Sequence, residues 1–171
     1  MSQDADATLL REVCFSLLEE NRIMTLATTG EEGPWAAPVL YAWESHPAAV
    51  SLYFMSRLST RHVQNLLKAP RVAAAIHPNE SRPLRGLQIE GTVELLRGKE
   101  ALRVIRLYLR RFPLARRRFS IRAVLKESLD LRFFRFLPER IFTLSETHFG
   151  WGNRHLLELP TGTASRAKGW E

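Results

Sequence analysis

The nine residues Phe54-Met55-Ser56-Arg57-Leu58-Ser59-Thr60-Arg61-His62 gather the side chains best suited to chemistry. They read as a strand end, a polar turn and a helix start. The first N–H groups of a helix lack intrahelical acceptors, and the helix dipole adds partial positive charge there. Hydroxyls at Ser59 and Thr60 supply further donors. Arg57 and Arg61 supply full charges and forked donors that match phosphate oxygens. A terminal phosphate needs this combination. The same residues also suit an ordinary helix cap, with Ser59 as N-cap and two solvated arginines, and composition alone does not separate the two.

Other candidates are less specific. In Phe149-Gly150-Trp151-Gly152 the glycines free the backbone around an indole. Trp151 can stack on a planar ligand or cap the end of a barrel. The five histidines show no metal-ligand spacing, so no metal site is expected. The single cysteine, Cys14, lies among Val13, Phe15, Leu17 and Leu18 and reads as a small core hydrophobe. One cysteine makes neither an internal disulfide nor a cysteine-based metal site.

The surrounding chain is ordinary globular sequence, with 45% hydrophobic and 25% charged residues in 171. That length suits one domain, with residues 1–5 and 161–171 expected to fray. No apolar run approaches the ~20 residues of a bilayer span, and the N-terminus carries acids where a signal peptide carries bases. A cytoplasmic protein with no membrane contact is the expectation. The net charge of +7 lies largely in Arg103–Arg111 and Arg116–Arg122. A basic surface attracts polyanions of every kind, so charge alone selects no partner.

Periodicity supplies the scaffold. Leu10, Val13, Cys14, Leu17 and Leu18 repeat at helical spacing within residues 6–21. Strands are expected at 23–28, 35–43 and 50–55, with a turn at Gly30–Pro34. A helix over 60–68 stops before Pro70. Strands follow at 71–76 and 86–96, the second with Gly91 at a bulge or barrel corner. Helix 98–111 ends at Phe112-Pro113, and residues 114–126 are ambiguous. Strands at 131–136 and 140–144 flank a Leu137-Pro138-Glu139 turn, and a last strand covers 155–159. The expected fold is α+β: an antiparallel split β-barrel of six to eight strands with peripheral helices.

Leu52-Tyr53-Phe54, Ser59-Thr60-Arg61 and Ala69-Pro70-Arg71-Val72-Ala73 follow one another as strand, turn, helix and strand. With Ile89–Leu95 and Arg135–Phe142, this order resembles the pyridoxamine 5′-phosphate oxidase-like, FMN-binding split-barrel superfamily. Arg110–Pro113 resembles a small bacterial branch of it. The resemblance covers roughly residues 20–157. It implies a homodimer with FMN at the subunit interface, the phosphate on Ser59, Thr60 and Arg61 with Arg57 nearby. It places Ala37-Pro38-Val39-Leu40 along the flavin ring, with Val39 covering one face. Arg85, Gln88 and Trp151 are the remaining candidate cofactor contacts.

The sequence departs from the oxidases in three places. Trp35–Tyr41 contains no basic residue. Gly86 follows Arg85 where the oxidases have Gln, and Gln88 lies two places further along. The oxidases' Arg-x-His pair is replaced by adjacent Arg154 and His155, which a regular strand sends to opposite faces. Vitamin B6 oxidation is therefore not expected. What the resemblance implies is an FMN-dependent oxidoreductase acting on a small-molecule redox substrate. The alternatives are a flavin- or haem-binding protein without turnover, a deazaflavin protein, or a polyanion or nucleic-acid binder that lost the cofactor. Nucleic acid ranks low, because no DNA- or RNA-binding module is recognisable and helix 98–111 reads first as a packed helix with a solvated basic face.

Overall fold

Buried and exposed residues alternate along several strands, so each of these offers one face to a core. In the computed structural model, residues 2–47, 49–79, 82–117, 121 and 130–159 are described. The elements are α1 (Ser2–Glu20), β1 (Ile23–Gly30), β2 (Gly33–His46), β3 (Ala49–Arg57), α2 (Arg61–Lys68), β4 (Arg71–Ile76), β5 (Arg85–Leu95) and α3 (Gly98–Arg111). A 3₁₀ turn (Pro113–Arg117), β6 (Leu131–Ser145), α4 (Glu146–Phe149) and β7 (Arg154–Glu158) follow.

All strand pairings are antiparallel, in the order β3-β2-β1-β4-β5-β6-β7. A further pairing of β3 with β6 closes six strands into a barrel. β6 makes the closure possible by its length. Its first part, from Leu131 to Phe136, pairs with β3, and its second part, from Arg140 to Leu144, pairs with β7. This is an α+β split barrel of seven strands.

The barrel interior holds Met24, Leu26, Val39, Tyr41, Leu52, Phe54, Ile89, Phe134, Phe136 and Ile141. α1 closes one end of it with Val13, Cys14, Leu17 and Leu18. Burial pushes the Cys14 thiol up to about 11, as suits a core residue. A second cluster forms outside the barrel wall, where Ala101, Val104, Ile105, Tyr108 and Leu109 of α3 cover Ala42, Tyr53 and Phe133. Arg111, at the last turn of α3, donates to the Leu18, Glu19 and Asn21 carbonyls at 3.1, 2.8 and 2.7 Å. It thereby satisfies the C-terminus of α1 with a cation.

The structure revises several expected boundaries. α1 reaches back to Ser2, so residues 2–5 are helical. The expected turn at 137–139 is absent, and β6 runs through it. The break is a bulge instead: Glu90 faces Arg140, Gly91 faces Pro138, and Glu139 is left over. A bulge is where a strand tolerates proline and bends. The turn at residues 30–34 tightens to Glu31-Glu32 between Gly30 and Gly33. Of the ambiguous segment 114–126, residues 118–120 and 122–126 lie outside the described residues, as does the tail from 161.

Candidate functional site: the α2 turn and the bare sheet face

β3 delivers the turn and α2 carries it. Ser56 continues the inward-facing row of Leu52 and Phe54, so it lies at the barrel end beneath α2. His62, in the first turn of α2, is buried with Nε2 at 2.7 Å from Ser56 Oγ and 3.3 Å from Thr60 Oγ1. Burial lowers its pKa, which favours the neutral ring. The Thr60 hydroxyl gives its own proton to the Arg57 carbonyl, so towards Thr60 the ring meets an acceptor oxygen. Asn65 fixes the other side of the helix by donating to Thr28 Oγ1 at 3.1 Å. Gly30 makes room for it, since a Cβ there would stand 2.0 Å from Asn65 Oδ1.

The N-cap is Thr60, not Ser59, and no side chain caps the helix. Thr60 turns its hydroxyl to the Arg57 carbonyl at 2.7 Å. Ser59 donates its hydroxyl to Asp130 Oδ2 at 2.5 Å, and its N–H reaches the same oxygen at 3.4 Å. The Asp130 pKa is lowered, first by the Ser59 hydroxyl, then by the Ser59 and Leu58 N–H groups and the Arg57 charge, with desolvation opposing. A carboxylate from β6's approach thus stands where the turn's donors converge. The carboxylate occupies both the hydroxyl and the N–H of Ser59.

Asp130→Asn is expected to raise the turn's affinity for inorganic phosphate by several-fold, because it removes a competing charge. Isothermal titration checks this, and unchanged affinity would place the phosphate elsewhere.

Arg61 leaves the turn sideways. Its guanidinium lies 4.5 Å from the Trp35 ring centroid, donates to the Glu32 carbonyl at 2.9 Å and pairs with the Glu32 carboxylate at 3.3 Å. The arginine therefore bridges α2 to the β1–β2 hairpin. Arg132 is a cation that local sequence reading does not reveal. It is buried on β6 opposite Ser56, with Nη1 donating to the Leu131 carbonyl at 2.9 Å. Ser56 and His62 belong to the nine-residue segment itself, and Asn65 follows on α2. Asp130 and Arg132 join the site from β6 and its approach, across the barrel.

The remaining predicted residues lie elsewhere. Ala37 and Val39 point into the barrel core. Val39 therefore offers no face to a ligand outside the barrel; Pro38 and Leu40 are the exposed residues of this stretch. Pro38 stands in a row across four strands, Pro38–Thr25–Ala75–Gln88. Beside it run Ala36–Ala27–Ala73. Ile23, at 53% exposure, and Leu40, at 44%, extend this outer face. Among the described residues neither barrel-end plug nor α3 covers it, and its central side chains are small.

Arg85 opens β5 at the opposite barrel end and pairs with Glu20 of α1 at 2.8 Å. Trp151 also belongs to that end. It is 84% exposed between Gly150 (φ 81) and Gly152 (φ 74), so it does not cap the barrel. β5 covers ~35 Å at ~3.3 Å per residue. Arg85 and Trp151 thus lie at the barrel end away from the Ser59–Arg61 turn.

Comparison with known proteins agrees with this architecture. A UPF0306 protein of Klebsiella pneumoniae is 31% identical over 101 residues, which is 58% of this chain and 67% of the relative. A haem-binding protein from Mycobacterium smegmatis superposes with a TM-score of 0.66 at 21% identity, over 83% of this chain and 55% of that one. An FAD-binding protein from Mesorhizobium loti superposes at 0.57 and 21% identity, over 75% and 88%. Such distant structural likenesses establish the fold. Residues 10–145 match the sequence profile described as pyridoxamine 5′-phosphate oxidase. By that match, which spans most of the sequence and all six barrel strands, the chain belongs to the pyridoxamine 5′-phosphate oxidase family.

Proposed function

We propose that the protein binds FMN between two copies of the chain and works as a cytoplasmic, flavin-dependent oxidoreductase on a small-molecule substrate. The observation that carries this reading is the α2 turn: a helix start with no side-chain cap, flanked by Arg57 and Arg61, with a carboxylate seated on its donors. No described helix is long and apolar enough to cross a membrane.

In this reading Thr60 and the first N–H groups of α2 hold the phosphate, Arg61 swings to it from Glu32 and Trp35, and Asp130 yields Ser59 to it. His62 holds the Thr60 and Ser56 hydroxyls in place from beneath. The flavin supplies the redox chemistry when bound. Pro38, Leu40 and Gln88 lie on the face where its ring would rest. A second copy, with its own Arg85 and Trp151, completes the site that one copy leaves half-built. The bare sheet face excludes water once covered.

Purified protein is expected to be yellow and to release FMN on denaturation; a haem spectrum instead would overturn the reading. Arg61→Ala is expected to weaken FMN binding about ten- to a hundredfold, since a charge-assisted contact is worth roughly 1.5–3 kcal/mol. Riboflavin, without the phosphate, should bind variant and parent alike. Flavin-fluorescence titration reads both, and equal FMN affinities would remove Arg61 from the site.

Pyridoxine and pyridoxamine 5′-phosphates are expected to be poor substrates. β7 pairs with β6 without a bulge, so Arg154 and His155 diverge. Arg154 turns to the Gly152 carbonyl at 3.4 Å, and the His155 ring packs tilted against Phe149 with centroids 4.6 Å apart. Oxygen-dependent formation of pyridoxal 5′-phosphate at a dedicated oxidase's rate would refute this.

A further inference from the structure

We propose that the outer face of α3 is a docking surface for the phosphodiester backbone of a nucleic-acid duplex, separate from the flavin site. The charge distribution is the first observation. From Arg97 to Glu127 there are eleven bases and two acids, a net +9, whereas the other residues carry fourteen bases and sixteen acids, a net −2. The net positive charge of the whole chain therefore comes from this segment.

The structure then sorts that segment. Arg111 is committed to the end of α1, and Arg103 pairs with Glu44 at 2.9 Å and with the Tyr53 hydroxyl at 3.0 Å. Lys99, Arg106 and Arg110 are exposed and have no ion-pair partner among the described residues. Their spacing of seven and four puts them on one face of the helix, over ~16 Å at 1.5 Å per residue. Arg117 of the following 3₁₀ turn is exposed as well.

The same structure discriminates among polyanions. A helix that lies in a bilayer surface needs a free apolar face. Here Ala101, Val104, Ile105, Tyr108 and Leu109 are buried against the barrel, so α3 has none to insert. Among the described residues no exposed aromatic side chain stands on α3, so there is no platform for stacking unpaired bases. What remains is a line of cations, two of them arginines with forked donors, that meets phosphates and reads no bases.

Three or four neutralised phosphates predict that log K for a duplex falls with log salt with a slope of about −3. Fluorescence anisotropy of a labelled DNA duplex, over a range of salt, reads this directly. The K99Q/R106Q/R110Q variant is expected to lose at least tenfold in affinity and to flatten the slope towards about −1. A control, K68Q/R71Q/R154Q, removes the same charge from other elements and should stay near the parent.

Equal loss in both variants would mean net charge alone and overturn the surface. So would a parent slope no steeper than that of the α3 variant, or α3-dependent binding to phosphatidylserine vesicles in place of the duplex. Flavin content and circular dichroism of the α3 variant should match the parent, so failure here leaves the flavin reading untouched.

Discussion

If two copies pack on the outer sheet face with FMN between them, as proposed, Ala27→Glu is expected to leave the protein monomeric and without flavin. Ala27 lies mid-strand on the bare outer face, between Ala36 of β2 and Ala73 of β4. In the free barrel a glutamate there meets only water, so the fold should keep its circular dichroism. In a dimer packed on this face it becomes a buried charge without a partner, which costs about 3–5 kcal/mol. Two copies of the substitution meet across a two-fold interface and repel. Dimer affinity should fall by at least a hundredfold. The half-site at each α2 turn would then lose Arg85 and Trp151 of the second copy, and FMN with them. Sedimentation velocity and the flavin-to-protein absorbance ratio give the two results. A variant that remains dimeric and yellow would move the interface off this face.

The second large effect is on folding. Gly91→Ala is expected to lower the melting temperature by about 10 °C or to prevent soluble expression. A Cβ at Gly91 would stand 2.0 Å from the Leu137 carbonyl oxygen and 2.9 Å from Pro138 Cα. Both obstacles are backbone, held by the bulge that lets β6 pass Pro138, so no side-chain rotation relieves them. Relief requires the β5–β6 register to shift, with the interior contacts of Ile89, Val93, Phe136 and Ile141 disturbed. A cost above about 3 kcal/mol fits such overpacking and is a large part of a domain's stability. At about 2–4 °C per kcal/mol for this size, the melting shift follows. Gly98→Ala is the contrast: no atom lies within 4 Å of its Cβ position, and the cost is only that of its φ of +57. Its melting temperature should fall far less. Equal effects from the two would show that conformational freedom, not the approach of β6, governs Gly91.

The sequence by itself determined what depends on neighbours along the chain. Strand β4 and helix α3 fall at the residues where periodicity and the flanking Pro70 and Phe112-Pro113 put them. The core role of Cys14 followed from its helical spacing beside Leu17 and Leu18. The α2 turn was legible because a strand end, two hydroxyls and two arginines lie within nine residues, and the order of the motifs pointed to the family.

Tertiary structure alone decided what depends on pairing across the barrel. Asp130 reaches Ser59 across 71 residues of sequence, and Arg132 faces Ser56 only because β6 pairs with β3. Pro138 lies inside β6, although its residue type predicts a turn, because a bulge opposite Gly91 absorbs it. Val39 points inward and Pro38 outward, since the register with β1 fixes which parity meets the core. The sorting of the α3 cations is of the same kind. Local sequence counts charges, but only packing shows that Arg103 and Arg111 are neutralised at home while Lys99, Arg106 and Arg110 face solvent.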